Sequence, residues 1–158
     1  VHDPDIAGCY SGDSLKGVAH GKGIAQGRDE YVGEFRNGKK HGHGTYSWGP
    51  ESDWADQVFT GKHVEDEMVQ GTWSFKAQNI IKEGTFKNGM LNGFGSITDG
   101  GGSVQEGYYK NDKLYGFGRL KVPKALNPDP KNPDHAEEDG YWVSCGYFSK
   151  GFFLMPVL

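Results

Sequence analysis

The chain has 158 residues, 35% of them apolar and 13% aromatic, with 26 glycines and a formal net charge of −4. That length suits one domain with a sizeable core, and a glycine usage about twice the ordinary level excludes long helices, because each interior Gly costs about 1 kcal/mol against Ala. No stretch approaches the roughly 18 apolar residues of a membrane-spanning helix, and the acidic balance argues against a nucleic-acid partner.

The first predicted element is "YSGDSLKGVAHGKG" (10–23), and it superimposes without a gap on the second, "YVGEFRNGKKHGHG" (31–44). Tyr10, Gly12, Gly17, His20, Gly21 and Gly23 all recur 21 residues later. A third copy, "FTGKHVEDEMVQGTWSF" (59–75), keeps Gly61 and lacks one loop residue and two glycines. The fourth, "KEGTFKNGMLNGFGSI" (82–97), keeps Gly84, Phe86, Gly89, Gly93 and Gly95. The fifth, "QEGYYKNDKLYGFGRL" (105–120), places Asp112 where the turn glycine stood, and "SCGYFSKGFF" (144–153) is a half copy.

Each unit reads as a β-hairpin. Tyr31, Gly33 and Phe35 alternate at the strand period of two, "RNGKK" supplies an Asn-Gly turn, and Gly42, Gly44, Tyr46 and Trp48 alternate along the return strand. Rings on one strand can lie over the bare glycine backbone of the next. The aromatic face is expected to run from Tyr10 and Tyr31 through Phe59, Trp73 and Phe86 to Tyr109 and Phe148.

The pattern YxGxxxxGxxHGxG in "YVGEFRNGKKHGHGTY" resembles the MORN (membrane occupation and recognition nexus) repeat over residues 10–121 and 144–153. The resemblance implies an all-β fold, an elongated single-layer antiparallel sheet of stacked hairpins within one domain spanning 1–158, with units near 10–25, 31–48, 59–75, 82–98, 105–122 and 144–153. It also implies a scaffold, dimerisation or attachment role. The departures are the degenerate third unit and Lys82, Gln105 and Ser144 at the unit-opening Tyr position. Two segments interrupt the array, "WGPESDWADQVF" (48–59) and the Pro- and Asp-rich insertion 121–140.

The chemical motifs are thin. "NGKKHGHGT" has neither the GxGxxG nor the GxxxxGK[ST] spacing of a phosphate loop. His41 and His43 lie two apart, yet His41 repeats His20, so packing or hydrogen bonding at the hairpin base explains it better than a metal, which needs three or four converging ligands. The acidic loop 127–140 does not match a calcium-binding loop. There is no GxSxG elbow and no cysteine-protease signature, so neither a catalytic residue nor a cofactor is signalled. In an extended array Cys9 and Cys145 would stand roughly 40 to 50 Å apart, too far to pair. The chain opens at Val1 rather than Met, so the removal of an upstream leader or a further domain is an expectation that leaves localisation open.

A non-enzymatic protein-binding or self-assembling scaffold module follows. The groove aromatics Tyr31, Phe35, Tyr46, Trp48, Trp73 and Tyr109 are its expected contacts. The alternatives are association with anionic membrane lipid, through Lys39, Lys40, Met90 and Leu91 at turn tips, and an accessory domain of a larger enzyme. The apolar end "FFLMPVL" (152–158) is expected to cap the open sheet edge.

Overall fold

The structure, a computed structural model, describes residues 1–126 and 136–156. The middle of the Pro- and Asp-rich insertion, 127–135, and the last two residues of the apolar end lie outside the described residues. The fold is all-β. Its strands are β1 (Cys9–Leu15), β2 (Val18–Gln26), β3 (Glu30–Arg36), β4 (Lys39–Ser47), β5 (Gln57–Val64), β6 (Glu67–Phe75) and β7 (Ile80–Lys87). They continue with β8 (Met90–Thr98), β9 (Val104–Lys110), β10 (Lys113–Pro123), β11 (Ala136–Glu138), β12 (Tyr141–Ser149) and β13 (Phe152–Pro156).

Two compact units divide the chain, one of Val1–Ala77 with Phe86–Gly89, the other of Gln78–Thr85 with Met90–Leu158. In the first, β1 to β6 pair antiparallel in chain order as an open sheet of hairpins. In the second, β8, β9, β10 and β12 do the same, and β12 pairs on its other edge with β11 and β13.

Two backbone devices make each hairpin. The two-residue turns Lys16-Gly17, Asn37-Gly38, Glu65-Asp66, Asn88-Gly89, Asn111-Asp112, Asp139-Gly140 and Lys150-Gly151 all have φ between 44° and 86°. That is the type I′ geometry whose twist matches the flanking strands, and Asn, Asp and Gly tolerate it best. On β4 the register slips between Gly33 and Phe35, and Gly42 sits in the slip at φ 72°. The first glycine of the GxG, Gly42 here and likewise Gly21 on β2 and Gly116 on β10, is thus a bulge residue.

The core lies on one face, here called inner. A Cβ on Gly44 would meet Tyr31 Cε2 at 2.6 Å, so the ring takes the space the glycine leaves, as the alternation predicts. Tyr31 packs edge-on against Phe35 at 5.1 Å, and Phe35 against Tyr10 at 5.3 Å. Phe59 and Phe86 meet at 5.5 Å, while Trp48, Trp73 and Phe75 form a stacked column. Burying each ring contributes about 1.5–3 kcal/mol, and each edge-on pair about 0.5–1.5 kcal/mol more.

Residues 1–8 cover part of this face, which the repeat pattern gave no sign of. Ile6 is fully buried with Ala25 and Tyr46, His2 N donates to Gly38 O at 2.8 Å, and Asp29 N donates to Asp5 O at 2.9 Å. The segment 48–56, irregular in sequence, is a string of turns, with Ser52 N on Gly49 O and Ala55 N on Ser52 O, both at 3.0 Å. At the other end β13 joins β12 by backbone pairing, with Phe153 against Phe148 at 5.1 Å, but Phe152 and Leu154 remain exposed.

Candidate functional site

The inner and outer faces of the hairpins hold different chemistry. On the inner face stand five of the six aromatics that the sequence singles out, and they are buried: Tyr31, Phe35, Tyr46, Trp73 and Tyr109. Trp48 is half-buried just past β4, stacked on Trp73 at 5.3 Å. Tyr31 Oη donates to Glu34 O, Tyr46 Oη to the buried Asp29 carboxylate at 2.8 Å, and Tyr109 Oη to Gln105 O at 2.7 Å. Burial raises all three phenol pKa values, with the nearby acids adding to the effect. These rings contact one another and their own backbone.

Among the described residues, two buried strand positions depart from the apolar pattern. Lys40 occupies on β4 the place that Leu91 holds on β8 and Leu114 on β10, and it is just as buried. Its ammonium pairs with Asp3 of the N-terminal segment, lies 3.7 Å from Asp66, and stands 4.9 Å over the Tyr46 ring. The sequence reading put Lys40 and Leu91 at turn tips facing lipid. Both are interior, because the strands resume at Lys39 and Met90 directly after the turn tips and alternation turns the second residue of each inward.

His63 is the second. It takes the inner place on β5 that Phe35 takes on β3, edge-on to Tyr31 at 5.0 Å and to Phe59 at 5.2 Å. Neither ring nitrogen has a hydrogen-bond partner. Burial, with the Lys40 charge behind it, lowers its pKa to about 4.

The repeat histidines serve the turns. His20 Nδ1 accepts from Asn37 N at 3.5 Å, and Asn92 at the corresponding site accepts from Asn111 N at 3.3 Å. His41 Nδ1 lies 3.7 Å from Glu65 Oε1 in the next turn. His43 is exposed on the outer face, opposite Lys62. No group of three or more His, Cys, Asp or Glu among the described residues could hold a metal ion.

The outer face shows a contrast the sequence reading did not draw. The middle residue of each GxG meets a residue of the following hairpin across the sheet. In the first unit these pairs are Lys22 with Glu34 and His43 with Lys62. In the second they are Phe94 with Tyr108 and Phe117 with Tyr147. The rings meet edge-on at 5.7 and 6.1 Å and are 51–64% exposed. "GFG" in place of "GKG" and "GHG" was the available signal. The first unit's outer face carries a shallow groove of about 500 Å³, floored by Gly23 and Gly33 between Lys22, Ile24, Val32, Glu34 and His43.

In the second unit the rows beside the aromatics are charged. Arg119 lies 3.5 Å from Glu106 and pairs with Glu138, and Lys121 lies 3.5 Å from Glu106. Lys110, Lys113 and the turn residue Lys150 are exposed on the opposite, turn side.

An open antiparallel sheet of glycine-rich hairpins closed by type I′ turns, with glycine bulges in several of them, defines a β-hairpin repeat protein. Residues 10–29, 31–51 and 83–104 match the MORN repeat, and the chain belongs among the proteins that carry it. It is similar to the alsins of Rattus norvegicus, Pan troglodytes and Homo sapiens, each 32% identical over 94 residues, 58% of this chain. The match covers 6% of the length of those relatives.

Proposed function

We propose that this chain is a non-catalytic module that binds a protein partner through the outer face of its hairpins. The observation that carries this is the row Phe94, Tyr108, Phe117 and Tyr147, four rings more than half exposed on consecutive strands. Their repeat counterparts in the first unit are charged or polar, so the fold does not need rings there. Aromatics anchor interfaces because they bury a large area with little rotamer entropy to lose.

The module is tested by comparing the immobilised chain with a variant carrying Phe94→Ser, Tyr108→Ser, Phe117→Ser and Tyr147→Ser. A protein retained by the first and lost by the second supports the reading, and identical retention counts against it. Membrane attachment is the second reading, favoured by the exposed Lys110, Lys113 and Lys150 beside the rings. Flotation with anionic liposomes at low salt tests it, and chain that stays at the bottom of the gradient removes it.

A further inference from the structure

We infer that the aromatic row of the second unit is a docking strip for an acidic, extended peptide segment, a reading that rests on the protein-binding function above. The strip is defined by register. Phe94 opposes Tyr108 and Phe117 opposes Tyr147, while β9 and β10, which carry the middle two rings, are themselves paired. Four strands at about 4.8 Å spacing make it about 14 Å long, the span of four to five extended residues.

Three observations select this occupant. The first is that the rings replace a structural residue. Glu34, at the repeat position of Tyr108 and Tyr147, accepts a hydrogen bond from His43 N inside its hairpin's bulge, and Asp13 does the same for Lys22 N. No hydrogen bond of this kind is made by Tyr108 or Tyr147 among the described residues, so these two rings are released from that duty.

The second is geometry. The ring planes cross at 75° and 82°, which leaves edges and notches rather than one coplanar platform. Notches of that kind receive side chains of an extended chain at its two-residue period. A flat sugar ring would need coplanar faces.

The third is charge. The second unit holds eight Lys/Arg against nine acids, so its net charge is small and the arrangement of the charges matters instead. On the turn side of the strip Lys110, Lys113 and Lys150 are exposed, while the unit's exposed acids among the described residues, Glu83, Asp99, Glu137, Glu138 and Asp139, lie toward the side of the β8–β9 and β11–β12 connections. On the other side Glu106 and Glu138 are already paired with Arg119 and Lys121. A lipid layer laid over the rings would strip water from those ions at a cost. A peptide backbone can hydrogen-bond to them, and its carboxylates meet the free lysines.

The test pans a phage-displayed random twelve-residue peptide library on the immobilised full chain, with counter-selection on the four-serine variant above. Expected are enriched peptides rich in Asp and Glu with interspersed apolar residues. Their affinity should fall at least tenfold on the variant, and at least threefold on Lys110→Glu with Lys113→Glu, which should also flatten the salt dependence. Circular dichroism and melting of each variant guard against unfolding, and Tyr147→Ser alone serves if the fourfold variant melts early. Row-dependent peptides without acidic excess overturn the peptide chemistry and leave the protein-binding reading standing. Peptides indifferent to the row, or no enrichment, overturn both. Row-dependent binding to phosphatidylserine vesicles, or row-dependent dimerisation by light scattering, without peptide binding assigns the strip to a membrane or to a second copy instead.

Discussion

His63 sits in the slot that Phe35, Phe86, Tyr109 and Phe148 fill in the other repeats, and it does their work without using its nitrogens. That sets a pH dependence. The unfolded imidazole protonates near 6.5, the buried one only near 4, so the unfolded state takes up the proton first. Stability is therefore full above pH 6.5 and falls as pH drops towards 4, by about 3 kcal/mol in all. His63→Phe is expected to raise the urea midpoint at pH 5 and to erase most of that slope; an unchanged slope would show that another group titrates. Lys40 poses the complementary case. As a cation at a leucine position it depends on Asp3 and Asp66. Asp3→Asn should cost about 1–3 kcal/mol, since it leaves a buried charge under-compensated, and adding Lys40→Leu should restore most of the loss. Simple additivity of the two in denaturant melts would argue that they do not interact.

At the scale of the hairpin, turns within each unit lock a repeat to its predecessor. Gly38 N donates to Ala19 O, Asp66 N to Lys40 O, Asp112 N to Leu91 O and Gly151 N to Leu114 O, all at 2.9–3.1 Å. Where Asp replaces the turn glycine, its carboxylate adds a second bond, Leu91 N to Asp112 Oδ1 and Lys40 N to Asp66 Oδ1, both 2.8 Å. The "ND" turn is thus a variant of the staple rather than a decayed repeat. Asp112→Ala should cost about 1–3 kcal/mol, because it orphans a buried N–H and keeps a strained positive φ, while Asp112→Asn, which keeps the acceptor, should cost about half as much or less. Equal losses for the two would remove the carboxylate from the account. This level was the most legible in the sequence, because Asn-Gly turns and period-two alternation are local rules. The role of His20 and Asn92 was legible only as a repeated position, since the bond each makes lies with the turn of the following hairpin. The cover supplied by residues 1–8 was not legible, because Ile6 and Asp3 belong to no repeat and find their partners through tertiary contact alone.

Across the molecule the two faces differ in chemistry: five of the six aromatics that the sequence reading offered as contacts are buried on the inner face, whereas the contact row proposed above lies on the outer one. Tyr31, Phe35 and Tyr109 stand at positions where rings recur in most hairpins because inner-face packing uses them; Phe94 and Tyr108 stand where the first unit has charged or polar residues. Tyr108 and Tyr109 separate the two roles, being adjacent on β9 with exposures of 64% and 5%. Tyr109 is held by its hydrogen bond to Gln105 O and by the inner-face packing. Tyr109→Ala is therefore expected to lose about 3–5 kcal/mol of stability, as buried aromatic truncations do. Tyr108→Ala should change stability by no more than about 0.5 kcal/mol, since nothing in the fold closes over it. Binding should show the reverse order once both are measured below their melting points. Tyr108→Ala should weaken the outer-face partner several-fold, and Tyr109→Ala should leave the affinity of the folded fraction unchanged. A Tyr108→Ala protein that binds normally but melts early would mean that the ring serves the fold, and the outer row would then be a second core face rather than a contact surface.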